Sequence, residues 1–335
     1  MRKDFWKNLP KPIIGLAPMD GYSDSAFRRV CKFVTPSLIT VTEFTSADGL
    51  SFNADKLKKK LWFDPSEQPV IAQIFGKNTD TFIRATKVCE DMGFTGIDIN
   101  MGCPSKKVVK SEHGVALRKS PDLAYKLIES VAKNTHLPVS VKTRLGWNNA
   151  DDLEAFCKGA ENAGADMICV HARTYKEPYN VPAQFEHLFR AKKAISVPLI
   201  ANGGIMDVHD GLRKIKSSHY SDLANDYYDL DGFWIGQAAF GNPWVFHKDG
   251  PPEKFEDKIP VILKHAEWLV EHKGDYVGTR EIRKHLLQYV KGFKGAKEFR
   301  SQLVRIEGLV DLKDVLNRLT SYIYSDSKQA AKLLV

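Results

Sequence analysis

A cysteine on a constrained loop is the residue of this sequence best suited to chemistry. Cys103 stands between a glycine and a proline in the hexapeptide Asn100–Ser105, directly after the short apolar run Gly96–Ile99. Such a run is typical of a buried strand, so the thiol lies just past a strand end, on a loop that aims a side chain. A free cysteine is also often buried as simple packing. The neighbouring residues must decide between a reactive thiol and a buried one.

Polar residues follow nearly every apolar run of the chain, as Cys103 follows its own. They are Asp20 after Pro18 and Met19, Glu43, Gln73, Asn100, Lys142 with Arg144, His171 with Arg173, Asn202 and Gln237. Singly, each has an ordinary explanation: Gln73 could satisfy a loop, His171 could be a core histidine and Lys142 could pair with a carboxylate. Polar groups after almost every strand are not a folding requirement, so together they predict a binding site for a large polar ligand.

Two glycine turns indicate that this ligand carries a phosphate. Gly203 and Gly204 follow the seventh apolar run, and Gly236 follows the eighth. Glycines at these points expose backbone N–H groups to an anion, and the turns after strands seven and eight are the usual phosphate site of a barrel. Tight turns also favour glycine for conformational reasons alone.

Eight apolar runs alternate with stretches of helical length, which predicts an α/β fold, a (β/α)8 barrel of the TIM type. The runs are Ile13–Pro18, Leu38–Phe44, Pro69–Phe75, Gly96–Gly102, Pro138–Gly146, Met167–Arg173, Pro198–Gly204 and Gly232–Phe240. The clearest amphipathic stretches are Thr79–Met92, Ala124–Lys133 and Asp152–Ala163. An open, doubly wound sheet is the alternative, and the absence of a GxGxxG motif after the first run argues against it.

After Gly250-Pro251-Pro252 the sequence shows helical patterns but no further strand-like apolar runs. We predict a barrel domain over residues 1–250 and a small helical-bundle domain over residues 251–335. The predicted helices of the bundle are Ile259–His272, Arg280–Phe293, Ala296–Glu307 and Leu312–Tyr324. Between Glu281 and Arg305 there are seven Lys or Arg residues and two acids, a net charge of +5 over 25 residues. This concentration of charge indicates a polyanionic partner, with a solvated helix face as the alternative.

Composition limits the class of protein. The 335 residues carry a net charge of +8, and 43% of them are hydrophobic, which suits a soluble globular protein. No run reaches the roughly 18 apolar residues of a membrane span, and the N-terminus lacks a signal-peptide core, so we expect no membrane association. The five cysteines are widely spaced without a CxxC pair. We therefore expect no metal site and a reducing, cytoplasmic location. We also expect a monomer, although no feature of the sequence indicates the oligomeric state.

Several segments together resemble the tRNA-dihydrouridine synthases, flavoenzymes that reduce a uridine of tRNA. The matching segments are Ala17–Arg28, Asn100–Val108, Val141–Gly146, Val170–Thr174, Ile200–Ile205, Ile235–Trp244, and the helical stretch from Arg283 to Phe293. The resemblance spans about residues 13 to 310, and its most specific block is the Asn-Met-Gly-Cys-Pro motif at Cys103.

The resemblance implies a flavin mononucleotide (FMN) in the barrel mouth. By motif position, the isoalloxazine ring would be lined by Pro18, Met19 and Asp20, and hydrogen-bonded by Gln73, Lys142 and His171. The phosphate would be held by Asn202, Gly203, Gly204, Gly236 and Gln237. The remaining strand-end residues Glu43, Asn100, Arg144 and Arg173 would face the substrate. The tRNA phosphates would be contacted by Arg283, Lys284, Lys291, Lys294 and Arg300.

The implied reaction gives Cys103 a definite role. NADPH would reduce FMN, N5 of the flavin would transfer hydride to C6 of the uracil, and Cys103 would protonate C5 as a general acid. The sequence departs from the family at two places. Gln237 stands where an arginine is usual near the phosphate, which removes a charge-assisted hydrogen bond. The stretch Tyr175–Ala183 differs from the usual arginine-containing loop.

Three other functions are consistent with parts of the pattern. An FMN-dependent barrel oxidoreductase acting on a free pyrimidine would explain the strand ends and Cys103 but not the basic helices. A non-catalytic tRNA-binding flavoprotein would have no need of Cys103 and Lys142. A Schiff-base aldolase would use Lys142 as its nucleophile and would need no flavin.

Overall fold

All eight apolar runs form strands in the computed structural model, which describes residues 4–52, 55–220, 228–292 and 296–332, with side chains up to residue 325. The strands are β1 (Ile13–Leu16), β2 (Ile39–Val41), β3 (Thr45–Ser46), β4 (Val70–Phe75), β5 (Gly96–Met101), β6 (Val139–Arg144), β7 (Met167–His171), β8 (Leu199–Asn202) and β9 (Gly232–Ile235). Most of their residues are buried, as expected for strands covered on both faces.

The strands close into a ring, which confirms the predicted (β/α)8 barrel and excludes an open sheet. Every pairing is parallel, β1 pairs with both β2 and β9, and β2 also pairs with β4. The second barrel position is split, because β2 and β3 both pair with β4. At this break the N–H of Gln73 donates to the hydroxyl of Thr42, 3.0 Å away. A side chain thus replaces a backbone acceptor and interrupts the ladder.

The register places one residue parity of every strand inside the barrel. Gln73 lies beside Asp98, and Asn100 lies beside Lys142. His171 lies beside Asn202 by the same rule. The lower interior is filled by an apolar cluster that includes Trp6, Ile13, Ile39, Val41, Ile71, Met167, Cys169, Ile200 and Trp234. Because residues two apart share a face, the polar residues at the strand ends stand above this core, around the mouth.

Helices that follow the strands cover the outside of the barrel unit. They are α3 (Ala47–Ser51), α4 (Asp55–Leu61), α5 (Thr79–Asp91), α6 (Lys106–Lys110), α7 (Pro121–Lys133), α8 (Leu153–Asn162), α9 (Glu186–Ala194) and α10 (Val208–Lys214), and the short α1 (Phe5–Asn8) precedes β1. The Asn78 side chain caps α5 by accepting from the N–H of Asp80 and of Thr81. Pro121 opens α7 at a position that needs no N–H donor. The three predicted amphipathic helices are confirmed to within three residues at each end.

A second compact unit contains the C-terminal helices. It consists of residues 25–36 and 239–335, and the barrel unit of residues 1–24 and 37–238. Its helices are α2 (Ser25–Val34), α11 (Ile259–Lys273), α12 (Asp275–Tyr289), α13 (Ala296–Leu303) and α14 (Leu309–Lys332). The predicted helical bundle is confirmed. The division at residue 250 stays a prediction, since these units divide at residue 238 and assign α2 to the bundle.

Aromatic contacts show how α2 is held in the second unit. The Phe27 ring lies 4.8 Å from the ring of His285 and 5.5 Å from that of His265, measured between centroids. The guanidinium of Arg29 lies 4.2 Å from the ring centroid of Trp268. Both sides of the helix thus contact α11 or α12. Among the described residues, no helix is both long enough and apolar enough to cross a membrane.

A tight backbone approach inside the barrel can be tested by substitution. A Cβ atom added to Gly232 would lie 2.1 Å from the carbonyl oxygen of Ile13 on the neighbouring strand, whereas one added to Gly308 would meet nothing within 4 Å. Gly232→Ala should therefore lower the free energy of unfolding by about 1–3 kcal/mol or more. Gly308→Ala should leave it nearly unchanged. Urea denaturation followed by circular dichroism measures both, and equal midpoints would contradict the expected clash.

Candidate active site

Hydrogen bonds with Asn100 and with Val115 hold the Cys103 loop in place. The Asn100 side-chain oxygen accepts from the backbone N–H of Gly102 at 3.2 Å and from that of Cys103 at 3.0 Å. On the other side the carbonyl of Cys103 accepts from the N–H of Val115 at 3.2 Å. Gly114, with φ +60°, lies so close that a Cβ there would be 2.9 Å from this carbonyl. The loop geometry is thus determined by a local side-chain contact from Asn100 and by the close approach of Gly114 and Val115.

Cys103 is the one cysteine of the chain that is not fully buried. The other four, Cys31, Cys89, Cys157 and Cys169, are all buried. Partial burial raises the pKa of the Cys103 thiol, and nearby Asp20 raises it further. The N–H of Ser105 and the cations of Arg144 and Lys142 act in the opposite direction. The result is a thiol that keeps its proton at neutral pH, as a proton donor must.

Lys142 provides a positive charge inside the mouth. Its ammonium donates to the side-chain oxygen of Asn202 at 3.0 Å, and the Asn202 amide donates in turn to the carbonyl of Trp234 at 2.8 Å. Burial lowers the pKa of Lys142, and Arg144 lowers it further. Among the described residues the ammonium has this one hydrogen-bond acceptor, which leaves two of its three N–H groups for a ligand.

His171 is a neutral imidazole in contact with a guanidinium. Burial lowers the pKa of His171 well below its usual value, and the cations of Lys142, Arg144 and Arg173 add to this effect. Nη1 of Arg173 lies 3.1 Å from Nε2 of His171. A guanidinium can only donate, so Nε2 is the acceptor and Nδ1 carries the hydrogen.

The glycine turn after β8 lies against these two side chains. Gly203 has φ +103° and Gly204 has φ +63°. A Cβ on Gly203 would be 2.9 Å from Nε2 of His171, and one on Gly204 would be 3.4 Å from Nη2 of Arg173. The turn therefore requires glycine for its backbone conformation, and at Gly203 also for space. It places backbone without side chains beside the guanidinium of Arg173.

Arg144 and Arg173, which the resemblance assigned to the substrate, hold the mouth loops together. Arg144 donates through Nε to the carbonyl of Gly102 at 2.9 Å and through Nη1 to that of Thr174 at 3.1 Å. Its Nη2 lies 3.4 Å from the hydroxyl of Tyr179. Arg173 donates through Nε to the carbonyl of Val181 at 2.6 Å. Both residues are buried and position loops, and a direct contact of either with substrate stays a prediction.

The loop after β1 forms another side of the mouth. Glu43 accepts from the N–H of Gly21, and burial together with Asp24 and Asp20 raises its pKa. Asp20 forms an ion pair with Lys60, with 2.5 Å between the charged atoms. Pro18 and Met19 are half-buried, Gly236 is half-buried, and Gln237 is exposed. A Cβ on Gly236 would be 3.4 Å from the Met19 sulfur, which brings two predicted flavin contacts together.

A buried carboxylate beneath the mouth escaped the prediction. Asp98 is fully buried, accepts from the Ser140 hydroxyl at 2.6 Å, and accepts from the Gln73 amide at 2.7 Å. Gln73 accepts in turn from the Asn100 amide at 2.8 Å. The signal for this residue in the sequence is a carboxylate inside the apolar run Gly96–Ile99, two positions before Asn100. Gln73 is fully buried, and its predicted contact with a flavin stays a prediction.

An aromatic pair at the rim is also missing from the predicted set. The rings of Trp147 and Tyr175 stack with centroids 4.2 Å apart and an interplanar angle of 26°. The ammonium of Lys119 lies 4.8 Å from the Trp147 centroid. Trp147 and Lys119 also line a small cleft of about 160 Å³. Trp147 follows β6 and Tyr175 follows β7, so they belong to the next two loops around the barrel after the Cys103 loop.

The residues predicted to contact the tRNA phosphates lie in the second unit. Arg283 donates to the carbonyl of Ile306 and is half-buried, and Lys284 lies 3.8 Å from Glu281. Lys291 is exposed and Arg300 is half-buried, while Lys294 lies outside the described residues. In the part of the chain that the structure describes, no group of three His, Cys, Asp or Glu side chains is arranged to hold a metal ion.

The accessibility and raised pKa of Cys103 can be tested by alkylation. Iodoacetamide should modify Cys103 faster than any other thiol of the native protein, because the other four cysteines are buried. Its rate should be slow at neutral pH and still rising at about pH 9, above the usual thiol pKa of about 8.5. Cys103→Ser should abolish this fast phase and Cys89→Ala should preserve it. A fast phase that survives Cys103→Ser would contradict the assignment.

Comparison with known proteins identifies the family. The family model for dihydrouridine synthase (Dus) matches residues 15–324. A relative from Staphylococcus aureus (strain COL), named "Probable tRNA-dihydrouridine synthase", is 31% identical over 336 residues, covering 98% of this chain and 99% of its own. A relative from Synechocystis sp., named "Probable tRNA-dihydrouridine synthase 1", is 30% identical over 315 residues, covering 91% of this chain and 85% of its own.

Similarity to solved structures is weaker. Morphinone reductase in complex with tetrahydroNAD has a TM-score of 0.48 and 9% identity, covering 72% of this chain and 87% of its own. A variant of NCR from Zymomonas mobilis has a TM-score of 0.46 and 11% identity, covering 69% of this chain and 83% of its own. At this similarity neither structure informs the function of the chain. The nearly full-length family match and the relatives at about 30% identity do, and the chain belongs to the dihydrouridine synthase family.

Proposed function

We propose that this protein reduces a uridine of tRNA to 5,6-dihydrouridine, with FMN in the barrel mouth and NADPH as the reductant. The observation that carries the proposal is a protonated, partly exposed thiol, Cys103, on a loop clamped at the same mouth as the cation of Lys142. Family membership supports the reaction, because the matched relatives are named for it.

The residues at the mouth suit FMN. The two N–H groups of Lys142 that no described residue accepts would stabilise negative charge on the ring. The turn at Gly203 and Gly204 carries no side chains, so a phosphate could approach its backbone N–H groups closely. His171, a neutral imidazole, can hydrogen-bond the ring without adding charge. When bound, FMN would supply hydride chemistry at the mouth: the hydride added at C6 of the uracil in the proposed reaction, with NADPH as the source of the reducing equivalents.

Arg173 offers a positive charge that the residue at position 237, a glutamine in place of the usual arginine, lacks. The exposed amide of Gln237 brings no charge to a phosphate, but the guanidinium of Arg173 lies beside Gly204 of the predicted phosphate turn. A fixed cation there would replace part of the electrostatic attraction that an arginine at position 237 would supply. Arg173 is suited to this role because Val181 and His171 already hold its side chain in place.

Cys103 performs the proton transfer. Its raised pKa keeps the thiol protonated until charge develops at C5 of the reduced uracil, and the proton then moves from sulfur to that carbon. The cations of Arg144 and Lys142 lower the pKa of this thiol and so stabilise the thiolate that remains. Solvent then returns a proton to the sulfur, since Cys103 is partly exposed.

Binding of tRNA requires contacts away from the mouth. The target base must leave its stack, which costs a few kcal/mol that contacts elsewhere must offset. The exposed Lys291 and the other basic residues of the second unit are the proposed phosphate contacts. On the barrel unit, the Trp147–Tyr175 pair with Lys119 offers a surface on which an unstacked base could rest.

Mass spectrometry of tRNA tests the reaction directly. Unmodified tRNA incubated with the protein, FMN and NADPH should gain two hydrogens at one uridine, and omission of NADPH should prevent the gain. Free uridine should not be reduced under the same conditions. Reduction of free uridine with no reaction on tRNA would favour the free-pyrimidine oxidoreductase instead, and absence of both reactions would favour a non-catalytic flavoprotein.

Replacement of the proposed proton donor separates chemistry from binding. Cys103→Ala should leave FMN and tRNA affinities within about twofold, because Asn100 holds the loop through the backbone N–H groups of Gly102 and Cys103, which the substitution keeps. Oxidation of the reduced flavin by tRNA should slow by about a hundredfold or more, the usual contribution of a general acid. Stopped-flow absorbance measures this step. An unchanged oxidation rate would contradict the role of Cys103.

Charge reversal tests the proposed RNA-binding surface. Lys291→Glu should weaken tRNA binding several-fold and reduce the slope of log K against log salt by about 1, with FMN still bound. Lys133→Glu makes the same charge change at an exposed residue of α7 and should have little effect. Fluorescence anisotropy at several salt concentrations measures both variants. Equal effects of the two substitutions would place the phosphate contacts elsewhere.

A further inference from the structure

A continuous series of hydrogen bonds connects a buried carboxylate to the Cys103 loop. Asp98 accepts from the Gln73 amide at 2.7 Å, and Gln73 accepts from the Asn100 amide at 2.8 Å. Asn100 accepts from the backbone N–H of Gly102 at 3.2 Å and from that of Cys103 at 3.0 Å. We call these three side chains the Asp98 series. They cross from β5 to β4 and back to β5, so the series depends on the barrel register.

The two ends of the Asp98 series determine its direction. A carboxylate can only accept, and a backbone N–H can only donate. Each amide between them has one donating and one accepting end. Gln73 must therefore turn its NH2 group toward Asp98, and Asn100 must turn its oxygen toward the loop. No other orientation of the two amides satisfies every group in the series.

We propose that Asp98 is a positioning residue for the reaction: its negative charge sets the orientation of Gln73 and Asn100 and thereby holds the peptide N–H of Cys103. The consequence for catalysis rests on the proposed function, since it takes Cys103 as the proton donor. The consequence for the loop does not, because it follows from the hydrogen bonds alone.

Burial makes this arrangement strongly directional. Asp98, Gln73 and Ser140 have no exposed surface, and Asn100 is 6% exposed. In such surroundings an unsatisfied polar group costs about 1–3 kcal/mol, because bulk water cannot reach it to replace a lost partner. A flipped amide would place two donors, or two acceptors, face to face. The series therefore has a single satisfied state, which is the property a positioning device needs.

The charge of Asp98 should depend on pH. Burial raises the pKa of Asp98 to about 6, while Ser140, Gln73 and Lys142 act to lower it. The titratable groups that face it are Lys142 on β6 and the thiol of Cys169 on β7. Below about pH 6 a protonated Asp98 has one donating and one accepting oxygen, so, like an amide, it no longer sets the direction of the series. The loop should then lose its fixed orientation.

Asp98→Asn tests the proposal, because an amide at this position can turn either end toward Gln73 and no longer sets the direction. Two rates are measured: alkylation of Cys103 in the protein without tRNA, and flavin oxidation by tRNA across pH 5 to 8. Alkylation should accelerate by at least about fivefold, since a released loop exposes the thiol. Flavin oxidation at neutral pH should fall by about tenfold or more.

The pH profile and two further variants exclude a general loss of structure. Wild-type flavin oxidation should decline below about pH 6, and Asp98→Asn should lack this decline. Ser140→Ala removes the other hydrogen bond to Asp98 without affecting either amide. Because Ser140 also lowers the pKa of Asp98, the decline should begin at a higher pH in this variant, and both rates should stay within about twofold of wild type at pH 8. Should Asp98→Asn fail to fold, Gln73→Met interrupts the series with a side chain of similar volume and should accelerate alkylation equally.

The outcomes separate this proposal from the proposed function. If Cys103 is alkylated at the wild-type rate in both Asp98→Asn and Gln73→Met, the positioning role is overturned, whether or not the protein reduces tRNA. If the wild-type protein forms no dihydrouridine but alkylation is still accelerated in Asp98→Asn, the role of Asp98 in holding the loop would be confirmed and the proposed function contradicted. Equal effects of Ser140→Ala and Asp98→Asn at pH 8 would also overturn the proposal, because they would assign the effect to local packing.

Discussion

Closure of the parallel sheet is the constraint on which the rest of this structure depends. Pairing of β1 with β9 and of β2 with β4 turns eight strand positions into a ring, so that all carboxyl ends meet on one circle. A fixed register also assigns one residue parity to the interior. Residues far apart in the sequence, such as Asn100 on β5, Lys142 on β6 and Asn202 on β8, therefore stand around a single mouth.

Polar groups can stand in this interior only because they satisfy one another. One group runs from Ser140 through Asp98, Gln73 and Asn100 to the Cys103 loop. Lys142, Asn202 and the carbonyl of Trp234 form a second one. Low water content strengthens each hydrogen bond and also shifts protonation equilibria. The same burial that makes these groups costly keeps the thiol of Cys103 protonated and the imidazole of His171 neutral.

Several polar residues of the mouth serve the loops as well as any ligand. Arg144 ties the Cys103 loop to the loop after β7, and Arg173 ties the segment at Val181 to His171. A planar guanidinium with five donors is suited to bridging backbone carbonyls of two loops. The positive charge that would attract a polyanion is thus also the charge that fixes the shape of the mouth.

The sequence by itself determined the order of the strands, the barrel, the C-terminal helices and the position of the Cys103 loop. These features follow from local patterns: continuous apolar runs, amphipathic stretches, and glycine and proline beside the cysteine. Strand ends converge in any closed parallel barrel, so the set of polar residues at the mouth could be predicted without knowing a single contact.

Only the tertiary structure decided how those residues act on one another. The partners are distant in sequence: Gln73 and Asp98 are 25 positions apart, and Lys142 and Asn202 are 60 apart. The protonation of Cys103 and His171 depends on burial, and the loop contacts of Arg144 and Arg173 depend on chain folding beyond the strands. Neither burial nor long-range hydrogen bonding is encoded in a local pattern. For that reason Asp98, an acid inside an apolar run, shows its role only once its neighbours on β4 and β6 are in place.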